Sequence, residues 1–255
     1  MSLVLTPLAD IPLIFPGNDL ASIIIQALDK NNIRLDGGDI LVLAQKIVSK
    51  AENRLVNLNE ITASSEAEEL AQVTRKDARF VELVLRESNT VLRAQVGTLI
   101  VEHHLGFVCA NAGIDHSNVE GAWGKPEDWV LLLPENPDRS AASIRQKLES
   151  YSGVKLGVSI IDSHGRAWRN GVVGTSIGIS GLPGVVDMRG KPDLFGYQLR
   201  ITTIAAADEL AAAASLMMGQ ADEKTPVVHV RGFPYPFRES GLAELIRSKE
   251  QDLFR

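Results

Sequence analysis

A single cysteine, Cys109, rules out an internal disulfide, so this chain must be held together by its core. Cys109 lies in the apolar run Leu105-Gly-Phe-Val-Cys-Ala110 with no basic neighbour in sequence to stabilise a thiolate, and it reads as a small buried hydrophobe. No apolar stretch approaches the roughly 20 residues that a membrane helix needs. The N-terminus also lacks the basic segment and apolar core of a secretory signal, so the expected compartment is the cytoplasm, with no membrane partner. Positive charge is in short supply: 26 Lys and Arg face 32 Asp and Glu, for a net charge of −6. That balance argues against nucleic acid as a partner, although a local pocket for one nucleotide stays open. Familiar signatures are missing too. There is no G-x-x-x-x-G-K-[ST], and the cluster Gly174-Thr-Ser-Ile-Gly178-Ile-Ser-Gly181 does not match G-x-G-x-x-G. The five histidines include no H-x-x-x-H or H-E-x-x-H, which disfavours zinc. No G-x-S-x-G elbow marks a serine nucleophile.

What is present is a 255-residue chain with 45% hydrophobic residues, enough for one large domain or two small ones. Asn18-Asp-Leu20 offers a helix cap, followed by Leu20, Ile23, Ile24, Ala27 and Leu28 at the spacing of one helical face. After the break at Asp36-Gly-Gly-Asp39, Ile40-Leu-Val-Leu43 reads as a buried strand that turns into a helix over residues 44–52. Two helices are expected over residues 66–87, the second capped by Asp77 with Phe80, Val81, Val84 and Leu85 on one side. The acidic residues 66–69 read as a solvated face. Residues 90–95, 98–103 and 106–111 form a predicted antiparallel meander. Residues 129–133 read as a buried strand, 134–138 as a loop, and a helix is expected from Ser140 with Ala141, Ile144 and Leu148 inward. Residues 154–162 are strand-like, and the glycine-rich run 171–190 is expected to be irregular with short strands. Residues 204–218 carry seven alanines and read as a closely packed helix, and Val227-Val-His-Val230 as a last strand. Strands and helices mix without regular alternation, so the expected class is α+β, or irregular α/β, with mixed, largely antiparallel sheets and packed helices. Residues 1–255 form one unit, with two closely packed subdomains flanking an active site as an allowed arrangement.

Two aspartates carry most of the chemical information: Asp115 in Cys109-Ala-Asn-Ala-Gly-Ile-Asp-His-Ser-Asn118 and Asp162 in Val158-Ser-Ile-Ile-Asp-Ser-His-Gly-Arg166. Both follow apolar runs, so each carboxylate is expected where a strand gives way to a loop. With Ser163 and Gln220 they form a hard oxygen set that suits Mg²⁺ or Mn²⁺, which is commonly held by one or two carboxylates plus substrate phosphate oxygens. From spacing alone, an aspartate capping a turn through its side chain is the stronger reading. Lys50, after the buried strand, is a candidate for phosphate together with helix-start amides. The alternative is that Lys46 and Lys50, four apart, form a solvated face.

Several long segments in order resemble one family: Pro12-Leu-Ile-Phe-Pro-Gly-Asn-Asp19, Gly38-Asp-Ile-Leu-Val-Leu-Ala-Gln-Lys-Ile-Val-Ser-Lys-Ala-Glu52, Ala112-Gly-Ile-Asp-His-Ser-Asn-Val119, Asp162-Ser-His-Gly-Arg-Ala-Trp-Arg169, Asp208-Glu-Leu-Ala211 with Met218-Gly-Gln-Ala221, and Asp252-Leu-Phe-Arg255. The chain is similar over nearly its whole length to the coenzyme F420-0:L-glutamate ligases, which extend the tail of a deazaflavin coenzyme. The resemblance implies a GTP-dependent amide ligase acting through an acyl phosphate, with an unusual topology and an intertwined homodimer. It implies a first metal on Asp115 and Asp162, and Ser163 with Gln220 on a second. It places GTP against Pro12, Leu13, Ile14, Phe15, Gln45, Lys50 and Asn118, with a loop including Met218, Gly219, Gln220, Ala221 and Asp222 closing over it. A requirement for K⁺ is left open.

Some positions depart from the family pattern. Ser163 stands where Thr is common, Gln45 replaces a small hydroxyl residue, Asn53 a usual Gly, Ala167 a usual Pro, and His116 fills a variable site. The chain stops just after the shared terminal motif and is expected to act without the fused C-terminal flavin domain of actinobacterial relatives. Trp123, Trp129 and Trp168 are read as packing residues rather than platforms for the deazaflavin, while Arg166 and Arg169 fit either an acidic substrate group or salt bridges elsewhere. Two other readings stand beside the first. One is a related amide ligase or phosphoryl transferase acting on another carboxylate, and the other a non-catalytic nucleotide- or F420-binding protein.

Overall fold

A computed structural model describes residues 2–252; Met1 and the last three residues of the terminal Asp252-Leu-Phe-Arg255 motif lie outside the described residues. The first half of the chain runs β1 (Val4–Pro7), α1 (Leu20–Lys30), β2 (Ile40–Ala44), α2 (Gln45–Ala51), β3 (Leu55–Asn57), α3 (Ser65–Thr74), α4 (Ala78–Arg86), β4 (Ser88–Gln95), β5 (Thr98–His103) and β6 (Val108–Ala110). It continues with β7 (Trp129–Leu131), α5 (Pro137–Ser152), β8 (Gly157–Arg166), β9 (Arg169–Ser180), β10 (Val186–Asp187), β11 (Thr203–Ile204), α6 (Ala206–Met218) and β12 (Val227–Arg231). The main sheet has the order β1-β12-β2-β8-β9, antiparallel except where β2 runs parallel to β8. The expected meander β4-β5-β6 forms a separate antiparallel sheet, and β3-β7 and β10-β11 are two-stranded. The fold is α+β, with mixed and largely antiparallel sheets.

β2 is the centre of the main sheet because it is apolar on both faces. Leu41 and Leu43 pack with Ile24 and Leu28 of α1 and Leu148 of α5, whereas Ile40 and Val42 pack with Leu210, Ala211 and Ala214 of α6. All four β2 side chains are fully buried. At about 1.5–3 kcal/mol each they contribute on the order of 10 kcal/mol, as an upper bound. A separate cluster joins Phe80, Val81 and Val84 of α4 to Leu99 and Val101 of β5 and Val130 of β7. Phe107 packs against both this cluster and that of α1 and β2. Cys109 is buried as expected, its thiol pushed up to about 12 by burial and then by the charge of Asp162.

Asp39, fully buried at the start of β2, ties the sheet across to β12. His229 Nε2 lies 2.8 Å from its Oδ2, Arg231 donates to both carboxylate oxygens at 2.8 and 2.6 Å, and the Asp36 amide donates at 2.9 Å. Burial pushes this carboxyl up, but Arg231 and then His229 outweigh it and hold it well below the usual carboxylate range.

Two stretches differ from the sequence expectation. α5 begins at Pro137, not Ser140: the Asn136 side chain caps it by accepting from the Arg139 amide at 2.9 Å, and Pro137 fills the first turn, where no N–H is needed. The glycine-rich run expected to be irregular contains most of β9, a 12-residue strand. Its glycines permit close approach. A Cβ at Gly174 would lie 2.5 Å from the Ala211 carbonyl oxygen of α6, and one at Gly178 only 2.4 Å from Pro137 Cβ of α5. The alanines of α6 serve the same packing from the other side. Asn53 has φ of 58°, a left-handed conformation that Asn tolerates better than most residues.

Gly178→Ala should therefore destabilise the protein by about 1–3 kcal/mol through overpacking against α5. Thermal melting monitored by circular dichroism checks this, and a Tm equal to wild type would show that α5 can shift away.

Candidate active site

The parallel register of β2 and β8 sets Ala44 opposite Ile161, so Gln45 and Lys46, the first residues of α2, emerge beside Asp162. Asp162 lies within β8, opposite Thr175 of β9, and not at the strand end that the sequence suggested. The reason is that β8 continues as a hairpin with β9 for four residues beyond it. Asp115 does leave a strand. After β6 the chain turns through three consecutive left-handed residues, Asn111, Ala112 and Gly113, at φ of 52°, 52° and 65°. Asp115 is then pinned to β7 by reciprocal backbone hydrogen bonds with Leu131 at 3.0 and 2.9 Å. A non-glycine pair in this region is costly, and here it aims Asp115 toward α2.

Gln45 Nε2 donates to Asp115 Oδ2 at 2.5 Å, and Lys46 Nζ lies 2.9 Å from Oδ1. Gln45 is buried, and its carbonyl oxygen accepts from Ser49 Oγ at 2.9 Å, so both ends of its amide are committed inside the protein. Lys46 also donates to Ser117 Oγ at 3.0 Å. It is therefore not part of a solvated face. Burial pushes the Asp115 carboxyl up, Lys46 draws it down and the charge of Asp162 pushes it up again, leaving it above the ordinary aspartate value. The two carboxylates feel one another in a partly buried setting, and Lys46 partly neutralises the pair. His164 Nε2 is 3.1 Å from Asp162 Oδ2, within ion-pair distance but without the alignment of a hydrogen bond.

The remaining expected residues divide into three groups. Ser163 Oγ donates to Gln220 Oε1 at 3.1 Å, and Asn118 Nδ2 donates to the Ala221 carbonyl at 3.0 Å, so both candidate loops meet across the site. Gly219 caps α6 at φ 73°, with the Glu223 carboxyl group against it; Glu223 in turn accepts from the Ala221 amide, and Asp222 is exposed. Met218 and Ile14 face the core, leaving only their backbones for a ligand. Leu13 and Phe15 are exposed, and the following Gly17 amide donates to Ala51 at the end of α2. Lys50 sits in the last turn of α2, about 7.5 Å along the axis from its start, so it does not combine with helix-start amides. It has no ion pair. Burial and then Lys46 hold its ammonium below the ordinary lysine value, with Glu120 opposing.

Sequence reasoning missed Lys46, His164 and Asp208 as members of this neighbourhood. Asp208 of α6 accepts from the Ser176 amide at 2.9 Å, and its carboxyl is pushed up by burial while His164 draws it down. The available signal was the placement of Asp208 and His164 within long motifs. None of the three has a local pattern of its own.

A family model described as F420-0:Gamma-glutamyl ligase matches residues 9–232. The chain belongs to this ligase family. Among curated relatives, the coenzyme F420:L-glutamate ligase of Methanothermobacter thermautotrophicus is 44% identical over 257 residues, covering all of both chains. The protein of the same description from Methanopyrus kandleri is 46% identical, covering 94% of this chain and 92% of its own. That from Archaeoglobus fulgidus is 41% identical, covering 98% and 95%.

The γ-glutamyl ligase fold thus brings two carboxylates, a hydroxyl and an amide oxygen into one neighbourhood. Among the described residues no group of three His, Cys, Asp or Glu side chains could hold a metal by itself. Two carboxylates with neutral oxygens fit a hard divalent cation that completes its shell with water and phosphate oxygens, and the mutual charge of Asp115 and Asp162 favours a cation between them. Because the folded protein disfavours the charged form of Asp115, Asp115→Asn should leave the metal-free protein as stable as wild type or slightly more so. Melting in the presence of a chelator tests this, and a loss above about 1 kcal/mol would mean that the Lys46 ion pair outweighs the burial cost.

Proposed function

We propose that this chain joins the α-amine of L-glutamate to the terminal carboxylate of coenzyme F420-0, and by the same chemistry F420-1, using GTP and Mg²⁺ or Mn²⁺. The observation that carries this reading is geometric: the parallel register of β2 and β8 sets the start of α2, whose Gln45 and Lys46 hold Asp115, beside Asp162, the second family-motif aspartate, whose charge pushes the Asp115 carboxyl up. Asp115 and Asp162, with Ser163 and Gln220, are the residues that would hold the divalent cation. Bound there, it would neutralise charge on the phosphate oxygens.

A carboxylate is a poor acylating agent because oxide is a poor leaving group. In the proposed reaction a carboxylate oxygen of the acceptor bonds to the γ-phosphorus of GTP as the bond to GDP breaks. The glutamate amine then attacks the acyl carbon, phosphate leaves with the electron pair of the C–O bond, and the amine's proton passes to water. Lys50, an unpaired and partly desolvated ammonium near the Pro12–Phe15 loop, is suited to hold a phosphate oxygen. Asn118 and the 218–222 loop, already hydrogen-bonded to each other, would frame the nucleotide. Gln45 and Lys46 orient Asp115 from behind.

A homodimer belongs to the same reading. The β10-β11 arm, residues 186–204, carries Leu194, Phe195 and Ile201 at 97%, 94% and 87% exposure, apolar surface that a second copy would cover.

Purified protein incubated with GTP, Mg²⁺ or Mn²⁺, F420-0 and L-glutamate should convert the coenzyme to a species heavier by one glutamyl unit, with GDP and phosphate released in step. Asp115→Asn and Asp162→Asn should each lower turnover by at least about a hundredfold without unfolding the protein. GTP consumption that needs a different acid would assign the site to a related ligase, and near-normal turnover in both variants would remove the aspartates from the chemistry. Sedimentation equilibrium should give twice the chain mass for wild type and a monomer for Phe195→Asp; a wild-type monomer rejects the dimer.

A further inference from the structure

The hairpin that carries Asp162 runs on into a tip that the chemistry above leaves unused. Along β8, strand alternation puts Asp162, His164 and Arg166 on one face, and Arg166 pairs directly with Arg169 of β9. Like charges directly opposite one another destabilise a strand pair. Neither guanidinium has a carboxylate partner among the described residues; Arg166 Nη2 donates only to the Asn170 carbonyl at 3.3 Å. Between them stands Trp168, expected to pack but 89% exposed. Its φ of 62° puts a bulky residue in the left-handed region, a strained conformation for such a side chain. A bulge leaving Asn170 and Gly171 unpaired tightens the turn.

An exposed indole, a strained backbone and two facing cations each cost the free protein something. A planar aromatic ring on an anionic arm would offset the first and the last of these, because the ring covers the indole and the anion neutralises the arginines, while the strained turn holds the indole out to meet it. Resting on the ligase reading, we infer that this tip is the acceptor's ring subsite: Trp168 stacks on the planar ring, and Arg166 with Arg169 binds the phosphodiester arm that joins the ring to the reacting carboxylate. The spacing agrees. Four residues of strand from Asp162 to Arg166 span about 13 Å, and the arginine side chains reach back over part of that distance. The carboxylate then lies at the metal site, the phosphodiester under the guanidinium groups and the ring at the tip.

Titration of F420-0 into the full chain, followed by its own fluorescence, tests the assignment without turnover. Trp168→Ala and the pair Arg166→Gln with Arg169→Gln should each raise the F420-0 Kd about tenfold or more. Trp168→Phe should stay close to wild type, since a ring is retained. GTP affinity should not move and the melting temperature should not fall in any of them, which separates a lost contact from a lost fold. Wild-type affinity in Trp168→Ala and in the double arginine variant overturns the subsite and leaves the ligase reading standing. A Trp168→Phe variant as weak as Trp168→Ala rejects stacking. Wild-type protein that binds GTP but no F420-0 overturns both the subsite and the ligase reading.

Discussion

The register between β2 and β8 is the constraint from which the site follows. A parallel pair is buried on both faces, so β2 and β8 stay apolar up to Ala44 and Ile161 save for Ser159, whose hydroxyl is satisfied by Ser176, and charged side chains appear only beyond that limit. Ala44 opposite Ile161 makes that limit the same on both strands. Gln45, Lys46 and Asp162 therefore emerge together at one edge of a dry interior. A slip of one residue would turn Asp162 and Ser163 to opposite faces and separate each from its neighbour, Asp115 in one case and Gln220 in the other.

The protein treats two of its enclosed aspartates in opposite ways. Asp39 receives an arginine, a histidine and a backbone amide, and its charge is stabilised in place. Asp115 receives only Gln45 and Lys46, faces the charge of Asp162, and is left above its ordinary pKa. The first joins β12 to β2; the second is the one to which we assign a divalent cation. Such contrast between a satisfied and an unsatisfied carboxylate separates structural from chemical roles more clearly than burial does. Gln45 fits this division, because its amide spans the gap to Asp115 from inside the core.

Elements marked by local signals were legible in the sequence. The Asp19 and Asp77 caps, the apolar β2 segment and the meander need only short-range information, and the structure has them close to where spacing put them. β1 was not marked: it is an edge strand ending in Pro7, and only β12 makes it a strand. β9 was hidden because its glycines look like loop residues until α5 and α6 are seen lying on them. Lys46 was misread since its partner lies 69 residues away. At the site, resemblance named the aspartates, but only coordinates show that Lys50 ends its helix, that Gln45 is enclosed and that Trp168 stands in solvent.

The lone buried thiol has a practical consequence. With Cys109 enclosed and its thiol pushed up to about 12 by burial, the native chain should react only slowly with maleimides and iodoacetamide. A cysteine introduced at the hairpin turn, at Ala167 for instance, would be the one readily labelled position in the molecule. A fluorophore there would report in real time on the arrival and departure of ligands, with little background from the protein's own sulfur.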